Sequence, residues 1–225
     1  GDGVVKVASG DMPVYFARPK GVVNPPVILV AMEVFGLHEY IKDVTRRIAK
    51  LGAFAIAPNY YFKMGDLTQI TELDKLRPLV NAKADAELIA ELDATVAWAG
   101  EAGGDIQRLG ITGFCRGGRT VWVYCASSSQ VKAGVAFYGS LVDPPAQKAL
   151  WPKSPTELAA EMKAPVLGLY GGADQGIPVS QVDAMQAALK AAGKTTAFKI
   201  YPEAPHAFHA DYRPSYRKDA AEDAF

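Results

Sequence analysis

Cysteine is scarce in this chain: only Cys115 and Cys125 occur among 225 residues, too few for a disulfide framework. Both fall in one short turn-and-helix stretch, so a bridge between them is not expected. Cys125, in an apolar helical run, reads as a small core residue. Histidine is limited to His38, His206 and His209. Without a C-x-x-C or H-E-x-x-H spacing, no metal site and no cofactor is expected. Net charge is absent too. The 24 basic and 24 acidic residues cancel, which removes the electrostatic footprint that nucleic acid or an anionic membrane surface would demand. The longest apolar run, Val27 to Met32, is far shorter than a membrane span, and no hydrophobic leader opens the chain. These absences point to a small-molecule partner, and a monomer or weak homo-oligomer is expected. A cytoplasmic location is expected, with the periplasm as the alternative if an export signal preceded Gly1.

What is present is an alternation of strand-like and helix-like segments, which argues for one α/β domain over 1–225 with a mainly parallel central sheet and helices on both faces. Antiparallel character is confined to the start, where Val4–Ala8 and Met12–Ala17 flank a Ser9-Gly10-Asp11 turn. Parallel strands are expected at Val27–Ala31, Ala53–Ala57, Arg108–Thr112, Val131–Tyr138, Val166–Tyr170 and Ala197–Tyr201. Between them, Glu39–Leu51 is amphipathic and stops at Gly52, while Ala82–Ala99 and Val179–Ala192 have helical spacing. The stretch 59–81 reads as a long loop with a helix around Thr68–Leu76. The Pro-rich stretch 143–155 reads as a loop roofing part of a site, and helix is expected again from Ser215.

The stretch Gly113-Phe114-Cys115-Arg116-Gly117-Gly118 has the form of a nucleophile elbow in which cysteine replaces serine. Such a turn holds its nucleophile in a strained conformation, and glycines on either side let strand and helix approach. In this architecture an acid and then a histidine follow in chain order. Asp174 follows the run 164–172, and His206 follows 199–202, each just past a predicted strand end. His206 would take the thiol proton and Asp174 would hold the imidazole tautomer. The helix beginning after Cys115 favours an anion beside it. Backbone N–H groups of Arg116 and of the Glu33-Val34 loop would receive an oxyanion.

Taken together, Ala31-Met32-Glu33-Val34-Phe35-Gly36-Leu37, Ala57-Pro58-Asn59-Tyr60-Tyr61, the Cys115 elbow, Tyr138-Gly139, Gly171-Gly172-Ala173-Asp174 and Tyr201-Pro202 with His206-Ala207-Phe208 make the chain resemble the dienelactone hydrolases (carboxymethylenebutenolidases) of the α/β-hydrolase superfamily along nearly its whole length. The resemblance implies an α/β-hydrolase fold and a Cys115-Asp174-His206 triad. It implies a thioester acyl-enzyme and hydrolysis of an unsaturated cyclic ester in aromatic degradation. It also implies that Glu33 contacts the resting nucleophile and that Val34 and Arg116 supply the oxyanion N–H groups. The likeness breaks at the two arginines with which such enzymes hold the lactone carboxylate, because their positions here carry Lys63 and Ala210. Lys63 is thus a candidate substrate contact, as is Tyr138 at a strand end, either lining the pocket or filling it. Arg119 reads as a structural hydrogen-bonding residue and His209 as a loop or surface histidine. General carboxylesterase or thioesterase activity is the alternative within the enzyme class. A thiol-based binding or sensing protein on the same fold is the alternative outside it.

Overall fold

The computed structural model describes all 225 residues. Five segments are apolar and mostly buried, as inner parallel strands must be: β3 (Pro26–Ala31), β4 (Phe54–Pro58), the long β5 (Asp105–Phe114), which is buried from Leu109 onward, β6 (Ala133–Phe137) and β7 (Val166–Gly171). The hairpin β1 (Asp2–Val7) and β2 (Gly10–Ala17) adds the antiparallel edge, with β2 pairing β4, and β8 (Ala197–Tyr201) closes the opposite edge. The resulting eight-stranded order is β1-β2-β4-β3-β5-β6-β7-β8. All pairings from β4 across to β8 are parallel.

Helix α1 (Glu39–Lys50) turns Ile41, Val44 and Ile48 inward and ends before Gly52, whose φ of 104° is costly for residues with a Cβ. The expected helix around 68–76 is displaced: a 3₁₀ turn covers Leu67–Gln69 and α2 runs from Leu73 to Asn81 through Pro78. Tertiary placement of Leu76 and Val80, both buried, overrides the local pattern there. Helix α3 (Asp85–Glu101) lies against β1 and β5, and α5 (Val179–Ala191) and the short α6 (Lys218–Ala224) complete the alternation. Helix α4 (Arg116–Ser127) is the central one, with ten of its twelve residues buried against β3, β5 and β6.

The order in which strands are added reverses at β3, since β4 lies on one side of it and β5 on the other. The carboxyl ends of strands at such a switch point open a crevice. Glu33, Cys115, Tyr138, Asp174 and His206 all follow the carboxyl ends of parallel strands.

Close approach of α4 to the strand ends makes the crevice possible. A Cβ on Gly117 would lie 2.1 Å from the Ala31 carbonyl oxygen, and one on Gly139 would lie 2.2 Å from the Gly118 carbonyl carbon. Neither backbone can retreat without opening the core. Gly117→Ala is therefore expected to cost about 3 kcal/mol and lower Tm by roughly 6–12 °C. A thermal melt within 2 °C of wild type would refute this account of the packing.

Candidate active site

Cys115 sits between the end of β5 and the start of α4 with φ 56° and ψ −115°. Its N–H donates to the Phe137 carbonyl at 3.1 Å, and its own carbonyl accepts from Gly118 and Arg119 N–H at 3.0 and 3.3 Å. Those bonds hold the strained turn and leave the thiol half-buried at the crevice. Four non-glycine residues have positive φ, and three of them are Cys115, Tyr138 and Ala207, the last directly after His206. Strain of this kind persists only where surroundings over-determine it, and it gathers at working sites. Cys125 is different: it is fully buried, and desolvation pushes its thiol up to about 12.

Asp174 is buried in the turn after β7, where Oδ1 accepts from Gly176 and Ile177 N–H at 2.8 and 3.1 Å. Its Oδ2 meets His206 Nδ1 at 2.7 Å. Burial pushes the carboxyl pKa upward, but His206 and the two N–H groups outweigh it and hold the group below the usual carboxylate range. His206 stands on the loop after β8. Burial lowers its pKa, yet hydrogen bonding to Asp174 and interaction with the Cys115 sulfur carry the ring up to about 10. With Nδ1 committed to the carboxylate, Nε2 is left for the thiol.

Glu33 is completely buried in the turn after β3. Its Oε2 receives the Tyr212 hydroxyl at 2.9 Å and meets His38 Nε2 at 3.1 Å, while Oε1 has no partner. No hydrogen bond joins Glu33 to Cys115. The Val34 N–H has no acceptor in the protein, and Arg116 N–H belongs to the first turn of α4, whose donors lack intrahelical partners.

Other expectations are corrected. Lys63 is exposed and turned away: a Cβ on Gly10 of the β1–β2 hairpin would lie 3.3 Å from its Nζ, which also sits over the Phe62 ring. Its 3₁₀ turn, Phe62–Met64, leads the side chain toward the sheet edge. Tyr138 is wholly buried and packs edge-to-face against His206 and Phe208 at 5.2 and 5.3 Å between ring centroids, so it fills the space behind the imidazole rather than lining an open wall. His209 is no surface residue. It is buried among Phe114, Phe137 and Phe225, and Nδ1 lies 2.6 Å from the Tyr40 hydroxyl. Burial, reinforced by the charge of Arg47, pushes His209 down to about 4 and keeps the ring neutral.

Arg119 is buried and ion-paired with Asp85 and Asp143 at 2.7 Å each. Asp143 thereby ties the 143–155 segment to α4, and Trp151 of that segment packs over Arg116 and Arg119. Tyr212, Tyr40, Asn81 and Trp151 carried no local signal in the sequence, since each reaches the site through long-range packing. His38, five residues after Glu33 in the same turn, was the one with a positional hint. No group of three or more His, Cys, Asp or Glu side chains gathers to hold a metal ion, and no helix is long and apolar enough to cross a membrane.

Residues 12–225 match the model of the dienelactone hydrolase family. The chain is 53% identical over 227 residues to a Methylorubrum extorquens protein named "Putative carboxymethylenebutenolidase", the match covering 100% of this chain and 77% of that protein. It is 30% identical over 212 residues to a Bradyrhizobium protein named "Probable 2-oxo-3-(5-oxofuran-2-ylidene)propanoate lactonase", covering 94% of this chain and 84% of that one. A crystal structure described as a "Putative Dienelactone Hydrolase" from Klebsiella pneumoniae superposes with a TM-score of 0.96 at 45% identity, covering 100% of this chain and 93% of the other. With the parallel sheet, the strained elbow and these relatives, the chain belongs to the dienelactone hydrolase family of α/β-hydrolases and is a carboxylic ester hydrolase.

Proposed function

We propose that this enzyme, acting as a single domain, hydrolyses small lactones and other activated esters by covalent catalysis, with Cys115 as nucleophile, His206 as proton carrier and Asp174 as its orienting acid. The observation that carries this reading is the 2.7 Å contact between His206 Nδ1 and Asp174 Oδ2 beside a half-buried Cys115 in a positive-φ turn. The Bradyrhizobium relative's lactonase name supports a cyclic ester as substrate.

In this scheme the Cys115 thiol passes its proton to His206 and the sulfur attacks the ester carbonyl. The carbonyl oxygen, now an oxyanion, is received by the N–H groups of Val34 and Arg116. Collapse of the tetrahedral species forms the thioester and breaks the C–O bond, and protonated His206 gives its proton to the departing alkoxide. In a lactone that alkoxide stays tethered to the acyl group. The raised pKa of His206 suits it to be the acid at this stage. Part of that elevation comes from the sulfur. Once the sulfur is acylated and uncharged, the ring becomes less basic and, having lost its proton, serves as base toward water. Water gives a proton to the ring as it attacks the thioester, the oxyanion forms again in the same place, and its collapse breaks the C–S bond and releases the sulfur as a thiolate beside the protonated ring. Tyr138 backs the ring throughout.

Glu33 is assigned to control of the resting thiol. Its place is supported by the packing of Ala31 against the start of α4 and by the influence of both Glu33 and Cys115 on the hydroxyls of buried Tyr138 and of Tyr212. Glu33→Gln keeps the shape and an acceptor for Tyr212 but removes the negative charge. Alkylation of Cys115 at neutral pH is then expected to become several-fold faster, with its pH profile moved to lower pH. A stopped-time alkylation series from pH 5 to 10 checks this, and an unmoved profile would remove Glu33 from control of the nucleophile.

The overall reading is tested by incubating the enzyme with an aryl ester, quenching in acid and locating the acyl group by peptide mass spectrometry. A thioester on Cys115 is expected. Turnover with the acyl group on another residue, or with none, would overturn it.

A further inference from the structure

Helix α4 begins with two arginines three residues apart, Arg116 and Arg119, and both guanidinium carbons lie over one indole ring, that of Trp151, at 4.1 and 4.5 Å from its centroid. Their electrostatic situations are opposite. Arg119 is buried and shared between two carboxylates, with Asp85 accepting at 2.7 and 3.0 Å and Asp143 at 2.7 and 2.8 Å. Buried Lys83 nearby takes Glu91 at 2.6 Å and Glu87 at 3.2 Å. Asp85 and Asp143 are thus committed to Arg119, and Glu87 and one oxygen of Glu91 to Lys83. Arg116 has no carboxylate partner, and its only side-chain hydrogen bond goes from Nη2 to the neutral Asn81 Oδ1 at 2.5 Å. It is half-buried, and the other edges of its guanidinium remain unpaired.

The group is also held in place. Trp151 is buried, and its Nε1–H donates to the Lys83 carbonyl at 2.8 Å, so the plane on which Arg116 rests is fixed from α3's leading turn. A guanidinium stacked on an aromatic ring presents its in-plane donors to a planar, two-oxygen acceptor, which a flexible ammonium does not. Asn81 also lines an open groove of about 460 Å³ between α2 and the 146–150 segment, with Asp74, Arg77 and Pro78 on the same wall.

Arg116 directly follows Cys115 in the chain. The buried Tyr61 hydroxyl registers both: its pKa rises to about 12, chiefly through burial, with Arg116 opposing and the Cys115 sulfur adding to the rise. Neither position expected from the family supplies a positive charge here, because Lys63 turns to the β1–β2 hairpin and Ala210 is a buried alanine.

We propose that Arg116 is a specificity-determining residue whose side chain, stacked on Trp151 and braced by Asn81, receives a carboxylate borne by the ester substrate. This assignment rests on Cys115 being the nucleophile. A carboxylate near an attacking thiolate is repelled by it, and a cation between the two offsets that repulsion where water is partly excluded. The side chain thereby selects monoanionic esters while the backbone N–H of the same residue serves the oxyanion.

The test compares mono-p-nitrophenyl succinate, an anion, with its methyl ester, a neutral isostere. The ratio of their kcat/KM values is the readout, measured on the full chain with Tm recorded for every variant. Arg116→Gln is expected to lower the anionic-to-neutral ratio by about tenfold to a hundredfold. Arg116→Lys, which keeps charge but loses the planar fork, is expected to fall between the two. In the wild type, added salt should depress kcat/KM for the anionic ester alone. Lys63→Gln should leave the ratio where it is. If Arg116→Gln fails to fold, Arg116→Lys and the wild-type salt dependence decide the matter. An unchanged ratio in the Arg116 variants with no selective salt effect would overturn the proposal, as would a ratio that moves with Lys63→Gln instead. Cys115→Ala run beside them separates the two layers. Wild-type rates in that variant overturn the nucleophile assignment itself, whereas an inactive Cys115→Ala with an unchanged Arg116 ratio overturns only the role of the side chain.

Discussion

Cys115→Ala is expected to reduce turnover of activated esters by on the order of 10,000-fold or more, leaving only the rate that binding and the oxyanion donors sustain. The reason is chemical as well as positional. Alanine fits the elbow, since the positive φ is imposed by the Phe137, Gly118 and Arg119 backbone bonds and not by the sulfur, so the fold and the crevice persist while the attacking atom is gone. Cys125 offers no substitute, being fully buried with its thiol pushed up to about 12 by desolvation. The same contrast predicts that iodoacetamide labels Cys115 and spares Cys125 in the native enzyme. Steady-state rates on p-nitrophenyl acetate and peptide mapping of the alkylated protein check both statements. A Cys115→Ala enzyme within tenfold of wild type would sink the nucleophile assignment.

His206→Ala should be nearly as damaging, and its effect should not add to that of Cys115→Ala, because residues that act as one unit are strongly non-additive. Asp174→Asn is expected to leave a partly active enzyme. It retains acceptors for Gly176 and Ile177 but loses the charge that, with the sulfur, holds His206 at about 10. The sign of the pH dependence follows. In the proposed scheme His206 protonates the leaving alkoxide, so the active form has a protonated ring. It is populated below the raised pKa and lost as pH rises through about 10. Wild-type kcat/KM should therefore fall on the alkaline side near that pH, and in Asp174→Asn the fall should begin at lower pH. An alkaline limb that does not move in Asp174→Asn, or independent effects of Cys115→Ala and His206→Ala on acylation in a double-mutant cycle, would break the assignment of the three residues as a unit.

Some of this was legible before any coordinates. The continuous apolar runs at 27–31 and 166–170 could only be inner strands, and Gly113 and Gly117 around Cys115 announced a turn too tight for side chains, as the 2.1 Å approach of a Gly117 Cβ to Ala31 shows. Asp174 and His206 were readable because each follows a strand end, where a parallel sheet leaves chain ends facing one crevice. Helix α2 was misplaced because Pro78 and scattered polar residues hide a short helix whose position is set by burying Leu76 and Val80. The orientation of Lys63 was hidden for a related reason. A lysine on a loop has no periodicity to orient it, and only the path of the chain after Tyr61 sends it to the hairpin.

By itself, then, the order of residues determined the strand and helix alternation, the elbow and the chain order of thiol, acid and imidazole, because backbone sterics and hydrophobic burial act over a few residues at a time. Only the tertiary structure decided which polar side chains meet. Tyr212 reaches Glu33 across 179 positions of sequence, Tyr40 reaches His209 across 169, and Asn81 reaches Arg116 across 35. Hydrogen bonds and ion pairs act over a few ångströms of space, so the partners of a buried carboxylate or an unpaired guanidinium are set by how the layers pack and not by spacing along the chain.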